Sequence, residues 1–464
     1  MRILVIGLDC AAPELLLHDS ELTTLRALMK DGCHGRLESV VPPITVPAWM
    51  CMSSGQDPGS LGVYGFRNRR DHSYDALDIV NARSFTAPMI WDLLPRTEPV
   101  AIVGVPPSYP PRPVNGVCVG CFLTPDTRRP YTYPAERSEE LNTLVGGYPV
   151  DVAGFRTDDK AWLRDEIYAM SQKHFRVVRH LLRERQWSYF HFVEIGLDRM
   201  HHGFWHFHDP EHRHYPGADN PFADTVRQYY RYLDEEIASV LDLVPDDTIV
   251  LVVSDHGAQR LDGGFCVNEW LMREGLLVLR TAPHGVTPFS SLDVDWDRTT
   301  AWSEGGYYAR VFLNVKGREP RGRIEPSDYG RVRDEVRSRL QATLDDTGRR
   351  MGTRVFYPDE IYRTVRNVAP DLIAHFGGLF WRSIGSVGHG AIHVQENDTG
   401  PDSCNHAQYG AFVLSAPNLT ARGEIEGAHL LDIAPTLLDL AGHDVPSSLH
   451  GRVLSRKSVA AAAV

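Results

Sequence analysis

Two apolar runs in this chain end at residues whose side chains can bind metal ions. Residues 2–8 lead into Asp9, and residues 248–254 lead into Asp255 and His256. Each run is nearly continuous and rich in β-branched residues, a pattern typical of a strand buried on both faces of a parallel sheet. Because ligands gather outside the carboxyl ends of strands in open α/β sheets, we expect Asp9, Asp255 and His256 to lie at one edge of the same sheet.

Strand and helix patterns alternate along the chain, which predicts an α/β fold: a doubly wound, mainly parallel sheet flanked by helices. The histidine-rich stretch after the strand at residues 187–193 is predicted to be a loop. The helical patterns cover residues 12–29, 46–53, 158–185, 222–243, 327–344 and 430–441. The other strand patterns cover residues 35–41 and 410–415, and residues 98–108 are predicted to be a strand that runs into a Pro-rich loop.

The texture of the sequence changes at residues 282–384, where strand patterns are less regular and residues 317–322 form a turn. We interpret this stretch as a smaller lobe that is inserted into the main sheet and lies over the site. The catalytic core then comprises residues 1–281 and 385–464. The alternative is a longer, decorated edge of one domain. Residues 460–464 are expected to form a frayed tail.

Thr45 is the candidate nucleophile. It follows Pro42-Pro43 and precedes the helix that starts at Val46, with Pro47 in the first turn, where a missing N–H costs little. The free backbone N–H groups and the dipole at a helix N-terminus favour an anion such as phosphate. Taken alone, a threonine shortly before a proline is most often a helix cap, so this assignment depends on the other site residues.

Asp198 and His202 are spaced D-x-x-x-H, and a histidine remote in sequence, His406, completes a set of oxygen and nitrogen ligands suited to zinc. Histidine is abundant in this region, so the choice of His202 depends on its spacing from Asp198. Manganese or iron would fit much of the same ligand set.

A second metal set comprises Asp9, Asp255 and His256, with the Thr45 hydroxyl near or on that metal. Two cations about 4 Å apart stabilise both the attacking and the leaving oxygen of an in-line displacement. A metal also lowers the pKa of a hydroxyl group, which would make Thr45 a nucleophile near neutral pH. The hypothesis is hydrolysis through a phospho-threonine intermediate at a two-metal centre.

The net charge and the lengths of the apolar runs limit which molecules such a centre would bind. Sixty acidic and 48 basic residues give a net charge of −12, which argues against a nucleic-acid polymer as partner. A small-molecule phosphate ester remains the expected substrate. No apolar run is long enough to span a bilayer and no secretory leader is visible, so we expect no membrane partner. The oligomeric state is left open.

Cysteine usage indicates a reducing, cytoplasmic location. The chain has 7 cysteines, an odd number scattered over a long sequence, which is typical of reduced thiols rather than of a disulfide framework. Cys118 and Cys121 form a lone CxxC motif without a second pair. We expect packed strand residues there, not a zinc or redox site.

The order of these motifs resembles the alkaline phosphatase superfamily, and most closely its type I phosphodiesterase/nucleotide pyrophosphatase-like branch. The resemblance extends over almost the whole chain. The strings that carry it are residues 6–9, 43–49, 54–63, 198–202, 254–257, the segment around His406, and 432–442.

The resemblance implies a metal-dependent phosphoric-ester hydrolase with an alkaline phosphatase-like fold and two zinc ions. One zinc would be held by Asp198, His202 and His406. The other would be surrounded by Asp9, Thr45, Asp255 and His256.

The sequence also departs from characterised relatives. Pyrophosphatase relatives usually carry an asparagine downstream of the nucleophile that contacts a phosphate oxygen, whereas here only Ala48 occupies the corresponding helix face. Backbone N–H groups, another side chain or the metals must replace that contact. Sulfatases of the superfamily use a formylglycine from a C/S-x-P-x-R motif, which residues 45–49 do not provide. Sulfate-ester hydrolysis is therefore not expected as the main activity.

Several side chains near the predicted site have two interpretations. Arg67, Arg69 and Arg70 follow the nucleophile helix and are candidates for gripping a second phosphate, although at least two of them are expected to be solvated surface charges. Trp49 and Tyr64 either stack on a base or sugar or serve as structural aromatics.

The leading hypothesis is a phosphodiesterase or nucleotide pyrophosphatase. The alternatives are a phosphomonoesterase, and a phosphomutase or phosphotransferase that passes the phosphoryl group to an alcohol. A non-catalytic metal-binding relative ranks last, because the nucleophile and all presumed ligands are present.

Overall fold

A computed structural model of the chain describes residues 1–184 and 186–454. Its strands, in chain order, are β1 Ile3–Leu8, β2 Cys33–Glu38, β3 Arg67–Arg69, β4 Leu77–Ile79, β5 Val100–Val103, β6 Gly116–Val119, β7 Thr132–Tyr133, β8 Tyr189–Glu194, β9 Ile249–Val253, β10 Gly257–Arg260, β11 Gly263–Cys266, β12 Ala301–Glu304, β13 Ala309–Leu313, β14 Arg354–Phe356, β15 Leu372–His375, β16 Trp381–Ile384, β17 His393–Val394, β18 Cys404–Ala407, β19 Tyr409–Ser415, β20 Gly423–Glu424 and β21 Ala428–His429.

The α-helices in the described residues are α1 Pro13–Leu16, α2 Thr23–Asp31, α3 Thr45–Ser54, α4 Pro58–Leu61, α5 Ile90–Leu93, α6 Arg137–Val145, α7 Lys160–Glu184, α8 Gly196–His208, α9 Thr225–Leu241, α10 Val267–Arg273, α11 Tyr329–Gln341, α12 Pro358–Ile361 and α13 Ile433–Leu440.

The main sheet has ten strands in the order β20-β2-β19-β9-β1-β8-β5-β6-β7, with β21 also paired to β2. The central strands β9, β1, β8, β5 and β6 run parallel, and β19 pairs antiparallel with both β9 and β2. The predicted α/β fold with a mainly parallel sheet flanked by helices is therefore confirmed.

Strand β1 shows why a continuous apolar run is needed at the centre of this sheet. Leu4, Ile6 and Leu8 belong to the hydrophobic cluster on one face. Ile3 and Val5 belong to the cluster on the other face. Because side chains alternate across a strand and helices cover both faces, every position of β1 is buried.

Two predicted elements differ from the structure. The pattern at residues 12–29 was expected to give one helix, but it forms the two short helices α1 and α2, separated by residues 17–22. The histidine-rich stretch expected to be a loop is the 13-residue helix α8, which begins two residues after β8 ends. Residues 460–464, the expected tail, and Arg185, the expected end of α7, lie outside the described residues.

A second, four-stranded sheet follows the order β12-β13-β15-β14 and is covered by α11. Its cluster of buried side chains includes Phe265, Trp302, Phe312 and Leu340, and is distinct from the two clusters of the main sheet. This sheet lies within the segment interpreted as an inserted lobe. The division of the chain at residues 282 and 384 stays a prediction.

Candidate metal centre

The ends of two neighbouring strands supply the first ligands. Strand β1 pairs in parallel with β9, with Gly7 opposite Val253, so Asp9 and the pair Asp255-His256 leave the sheet side by side. All three site side chains are 0 % exposed. The Nε2 atom of His256 lies 3.6 Å from Asp9 Oδ1 and 3.3 Å from Asp255 Oδ2. The arrangement expected from the apolar runs is present.

Helix α8 supplies the next two ligands. It follows β8, the other parallel neighbour of β1, and therefore starts at the same edge of the sheet. Asp198 and His202 are one helical turn apart, and Asp198 Oδ1 lies 3.3 Å from His202 Nε2. The D-x-x-x-H spacing thus places both side chains on one face of a helix, because residues four apart are neighbours there.

His406 reaches the site through a two-stranded ribbon. Strand β10 begins directly after His256 and pairs antiparallel with β18, where Ala258 faces His406. The rings of His256 and His406 stack with their centroids 3.8 Å apart. His406 Nε2 lies 3.7 Å from Asp198 Oδ1, which joins the two halves of the centre.

Thr45 is the first residue of α3, in agreement with its expected place at a helix N-terminus. Its Oγ1 lies 3.2 Å from His256 Nε2, and the residue is 4 % exposed. The first intrahelical bond of α3 is donated by Ala48 to the carbonyl of Ile44, so the N–H groups of Thr45 and Val46 precede the helical ladder.

Two groups of ligand atoms lie close enough to hold metal ions. Asp198, His202 and His406 form one group, and Asp9, Asp198 and His256 form another, with the atoms of each group within 4.8 Å of one another. Asp198 belongs to both groups, a sharing that the sequence did not suggest. Asp255 is linked to the second group by its contact with His256.

Three carboxylate oxygens in the centre lack hydrogen-bond partners among the described residues. Asp9 Oδ1, Asp198 Oδ1 and Asp255 Oδ2 are buried and have no hydrogen-bond partner in the described part of the chain. Burial of an unpaired carboxylate oxygen is costly, and a coordinated cation removes that cost. The residues present therefore fit divalent metal ions.

The three histidines are oriented as metal ligands. The Nδ1–H of His256 donates to the carbonyl of Gly257 at 3.1 Å, and that of His406 donates to the carbonyl of Pro43 at 3.0 Å. His202 donates from Nδ1 to Asp402 Oδ1 at 2.7 Å. Each Nε2 atom keeps its lone pair for the centre, which is the arrangement that second-sphere contacts impose on ligating histidines.

Burial and neighbouring charges shift the pKa values in the centre in different directions. Burial opposes the charged form of Asp198, but the charges of His202 and Arg199 hold its pKa well below the usual value. Burial raises the pKa of Asp9 well above its usual value, and the charge of Asp198 raises it further. Burial and the charge of Asp9 likewise raise the pKa of Asp255. Burial lowers the pKa of His256 to about 4, so this ring is neutral near pH 7. Cations would supply a counter-charge for Asp9 and Asp255.

Sequence reasoning missed two residues next to the ligands, Asp402 and Tyr307. Asp402 holds His202. Tyr307 stacks on His406 with the ring centroids 4.1 Å apart, and its hydroxyl lies 3.3 Å from His202 Nε2. Trp49, given two interpretations above, is fully buried and donates from Nε1 to Asp9 Oδ2 at 2.7 Å, so it is a structural aromatic.

A cavity of about 450 Å³ opens onto Thr45, Asp198 and His406. Of the arginines considered for a second phosphate, only Arg67 lines it. Arg69 is buried in an ion pair with Glu319, and Arg70 is exposed and bound to Asp78.

Outside the centre, all seven cysteines are buried free thiols, including Cys118 and Cys121 of the CxxC motif. Among the described residues, a search for helices that are both long and apolar enough to cross a bilayer finds none.

Comparison with known protein families shows which family this chain belongs to. The family model for type I phosphodiesterase/nucleotide pyrophosphatase matches residues 3–402. The chain belongs to this family. The type I phosphodiesterase/nucleotide pyrophosphatase family comprises metal-dependent phosphoester hydrolases, so the expectation of an enzyme that hydrolyses phosphoric esters is confirmed at the level of the family.

Solved structures share the fold of this family member. Human ectonucleotide pyrophosphatase/phosphodiesterase 5 is 13 % identical, with a TM-score of 0.55 and 97 % of each chain covered. Phosphonoacetate hydrolase from Sinorhizobium meliloti 1021, in complex with phosphonoformate, is 16 % identical, with a TM-score of 0.60 and coverage of 95 % of this chain and 96 % of that chain. A comparison with curated proteins finds no match. The predicted alkaline phosphatase-like fold is confirmed.

Proposed function

We propose that this chain hydrolyses small phosphoric esters, with a phosphodiesterase or nucleotide pyrophosphatase type of reaction, through a phosphoryl group carried transiently on Thr45. The observation that carries the proposal is the convergence of Thr45 with three carboxylates and three histidines at the edge of the main sheet. Within the centre, Thr45 Oγ1 lies 3.2 Å from His256 Nε2.

The reaction has two displacements at phosphorus. In the first, Thr45 Oγ1 loses its proton and forms a bond to phosphorus, while the ester oxygen leaves with its electron pair and takes up a proton. In the second, a water oxygen attacks phosphorus, and Thr45 Oγ1 leaves and recovers a proton. The N–H groups of Thr45 and Val46 at the start of α3 are placed to bind a phosphoryl oxygen, which would compensate for the absent asparagine.

Two divalent cations complete the proposal. Asp198, His202 and His406 would hold one, and Asp9, Thr45, Asp255 and His256 the other. When bound, the cations supply charge stabilisation for the attacking and leaving oxygens and lower the pKa of the hydroxyl nucleophile. We favour zinc because the donors are carboxylate oxygens and imidazole nitrogens without a thiolate.

The substrate is proposed to be a small molecule. A cavity of about 450 Å³ is in the range typical of small-ligand sites. The names of the structural relatives refer to nucleotide and phosphonate substrates, which supports a phosphorus ester or a related compound here. The segment 282–384, proposed as an inserted lobe, contributes Tyr307 to the cavity wall. The free cysteines support a cytoplasmic location.

Hydrolysis of bis(4-nitrophenyl) phosphate by the purified metal-loaded protein tests the proposal. We expect Thr45→Ala to lower kcat/KM by roughly a thousandfold or more, because removal of a nucleophile abolishes the covalent route. Thr45→Ser, which keeps a hydroxyl group, is the matched variant and should retain measurable turnover. Mass spectrometry after an acid quench should find a 4-nitrophenyl phosphoryl group on the Thr45 peptide, because only one of the two ester groups leaves in the first displacement. Undiminished turnover by Thr45→Ala would exclude Thr45 as nucleophile.

A further inference from the structure

The wall of the active-site cavity carries five basic and three acidic residues, the acidic ones being Asp151, Asp198 and Glu304. The cationic side chains that line it are all arginines, namely Arg67, Arg156, Arg199, Arg310 and Arg382. Arginine presents a planar set of N–H donors that matches carboxylates and phosphates. The state of each guanidinium therefore indicates whether the wall is internally neutralised or open to an anionic ligand.

Two of these arginines already have strong partners. Arg199 forms a paired contact with Asp151, with distances of 2.7 Å at both nitrogens, and also contacts Asp198. Arg310 donates to the backbone carbonyl of Arg67. Their fixed contacts make them part of the frame of the cavity.

Arg382 is different. The residue is only 7 % exposed, yet its Nε and Nη1 atoms have no hydrogen-bond partner among residues 1–184 and 186–454. The nearest carboxylate oxygens are Asp402 Oδ2 at 3.7 Å and Asp398 Oδ1 at 3.8 Å, both beyond hydrogen-bond distance. Asp402 also binds His202 through its other oxygen. Both carboxylates lie at ion-pair distance from the guanidinium but leave its Nε and Nη1 donors without a hydrogen bond. Because buried donors without a hydrogen bond are costly, these N–H groups are available to an acceptor that enters the cavity.

The position of Arg382 defines which part of a substrate would meet it. Its guanidinium lies over the Tyr307 ring, 4.9 Å from the centroid, and the Tyr307 ring also stacks on His406. Arg156 donates from Nη2 to the Tyr307 hydroxyl at 2.7 Å and from Nε to Asp402 Oδ2 at 3.3 Å. Arg382 and Arg156 thus flank an aromatic ring that separates them from the metal ligands.

We propose that Arg382 and Arg156 form a subsite for a second anionic group of the substrate. The inference rests on the proposed function and narrows its substrate class to phosphoric esters or phosphonates whose second substituent carries a carboxylate or a phosphate. The reacting phosphoryl group would lie at Thr45, and the second anion would bind beside Tyr307. Arg382 acts in specificity, not in the chemical step.

A matched pair of diesters tests the subsite. Carboxymethyl 4-nitrophenyl phosphate and its carbamoylmethyl analogue have the same leaving group and nearly the same size, and differ by one charge. We expect the wild-type protein to prefer the carboxylate ester by about tenfold to a hundredfold in kcat/KM, which is the range for a hydrogen bond to a buried charged group. A ratio near one would overturn the subsite.

Three variants test whether Arg382 causes the preference for the carboxylate ester. Arg382→Gln should lower kcat/KM for the carboxylate ester far more than for the amide, so that the ratio falls towards one. Arg382→Lys keeps the positive charge and should keep part of the preference for the carboxylate ester. This variant tests the role of position 382 if Arg382→Gln does not fold. Arg70→Gln is the control, because Arg70 is exposed and bound to Asp78 outside the cavity lining. A preference that survives both substitutions at position 382 would contradict its assignment.

Failure of the subsite and failure of the proposed function give different results. If neither ester is hydrolysed by the metal-loaded wild-type protein, the proposed function is wrong. If both are hydrolysed equally, only the subsite is wrong. Calorimetry with carboxymethylphosphonate and carbamoylmethylphosphonate measures the same charge preference as binding, so the subsite is tested even without turnover. Tighter binding of the carboxylate to wild type than to Arg382→Gln supports it, and equal binding overturns it.

Discussion

Asp402 is a positioning residue at the border of the metal centre. Its carboxylate is fully buried, with Oδ1 2.7 Å from His202 Nδ1 and Oδ2 3.3 Å from Arg156 Nε. A carboxylate in this place fixes the orientation of the imidazole and makes Nε2 a better ligand.

We expect Asp402→Asn to weaken metal binding by about tenfold to a hundredfold, since loss of such an outer contact typically has that effect. Competition with a chromophoric chelator measures the affinity. Asp398→Asn is the matched control, because Asp398 is partly exposed and its carboxylate lies near Arg382, 3.8 Å from Nε. Equal metal affinity in wild type and Asp402→Asn would show that Asp402 does not position His202.

The same residues show what sequence can predict at this scale. Asp9, Asp255 and Asp198 were predicted because each follows a strand pattern or has a diagnostic spacing. Asp402 and Tyr307 carry no such local signal. They lie 200 and 105 residues from His202 in sequence, and only the tertiary fold brings them to it.

At the scale of elements, strand β1 and helix α3 meet at a position where only glycine fits. A Cβ atom on Gly7 would lie 2.6 Å from Trp49 Cη2 and 2.8 Å from Val193 Cγ2. Trp49 in turn donates to Asp9 Oδ2. The close approach of strand and helix therefore determines where one metal ligand lies.

Gly7→Ala should destabilise the protein by about 1–3 kcal/mol, the usual cost of overpacking a core, and should also weaken metal binding by displacing Trp49. Urea unfolding and a metal titration measure the two effects. Gly330→Ala is the matched control: Gly330 is in helix α11 with open space around its Cβ position, so alanine should be neutral or stabilising there. Similar stabilities for the two variants would refute the close-packing argument.

Strands were easier to predict than helix boundaries, for a physical reason. A buried parallel strand is an apolar run with clear ends, as in β1 and β9. Helix α8 was taken for a loop because histidines and aromatics have weak helix propensity, whereas in the structure ten of its residues, from Gly196 to Trp205, are buried by tertiary packing. The break between α1 and α2 falls at polar residues 18–21, which the apolar periodicity of residues 12–29 concealed.

At the scale of the whole molecule, the centre joins distant parts of the chain. Its residues extend from Asp9 to His406 and come from α3, α8, β18 and the segments that follow β1 and β9. Formation of the site therefore requires that most of the core be folded. Metal binding and folding are consequently linked, because a preformed site does not exist in the unfolded chain.

Removal of the metal should lower the stability of the entire core. Without cations, burial of Asp9 and Asp255 and the repulsion of each by neighbouring carboxylates oppose folding. A ligand that binds only the folded state at 100 times its Kd stabilises by about 2.7 kcal/mol, so zinc should raise the melting temperature of the chelated protein in a concentration-dependent way. His406→Gln, which lacks one ligand, should respond less at the same zinc concentration. Identical melting curves for wild type with a chelator and with zinc would contradict this linkage, and with it the idea that these seven side chains form a metal centre.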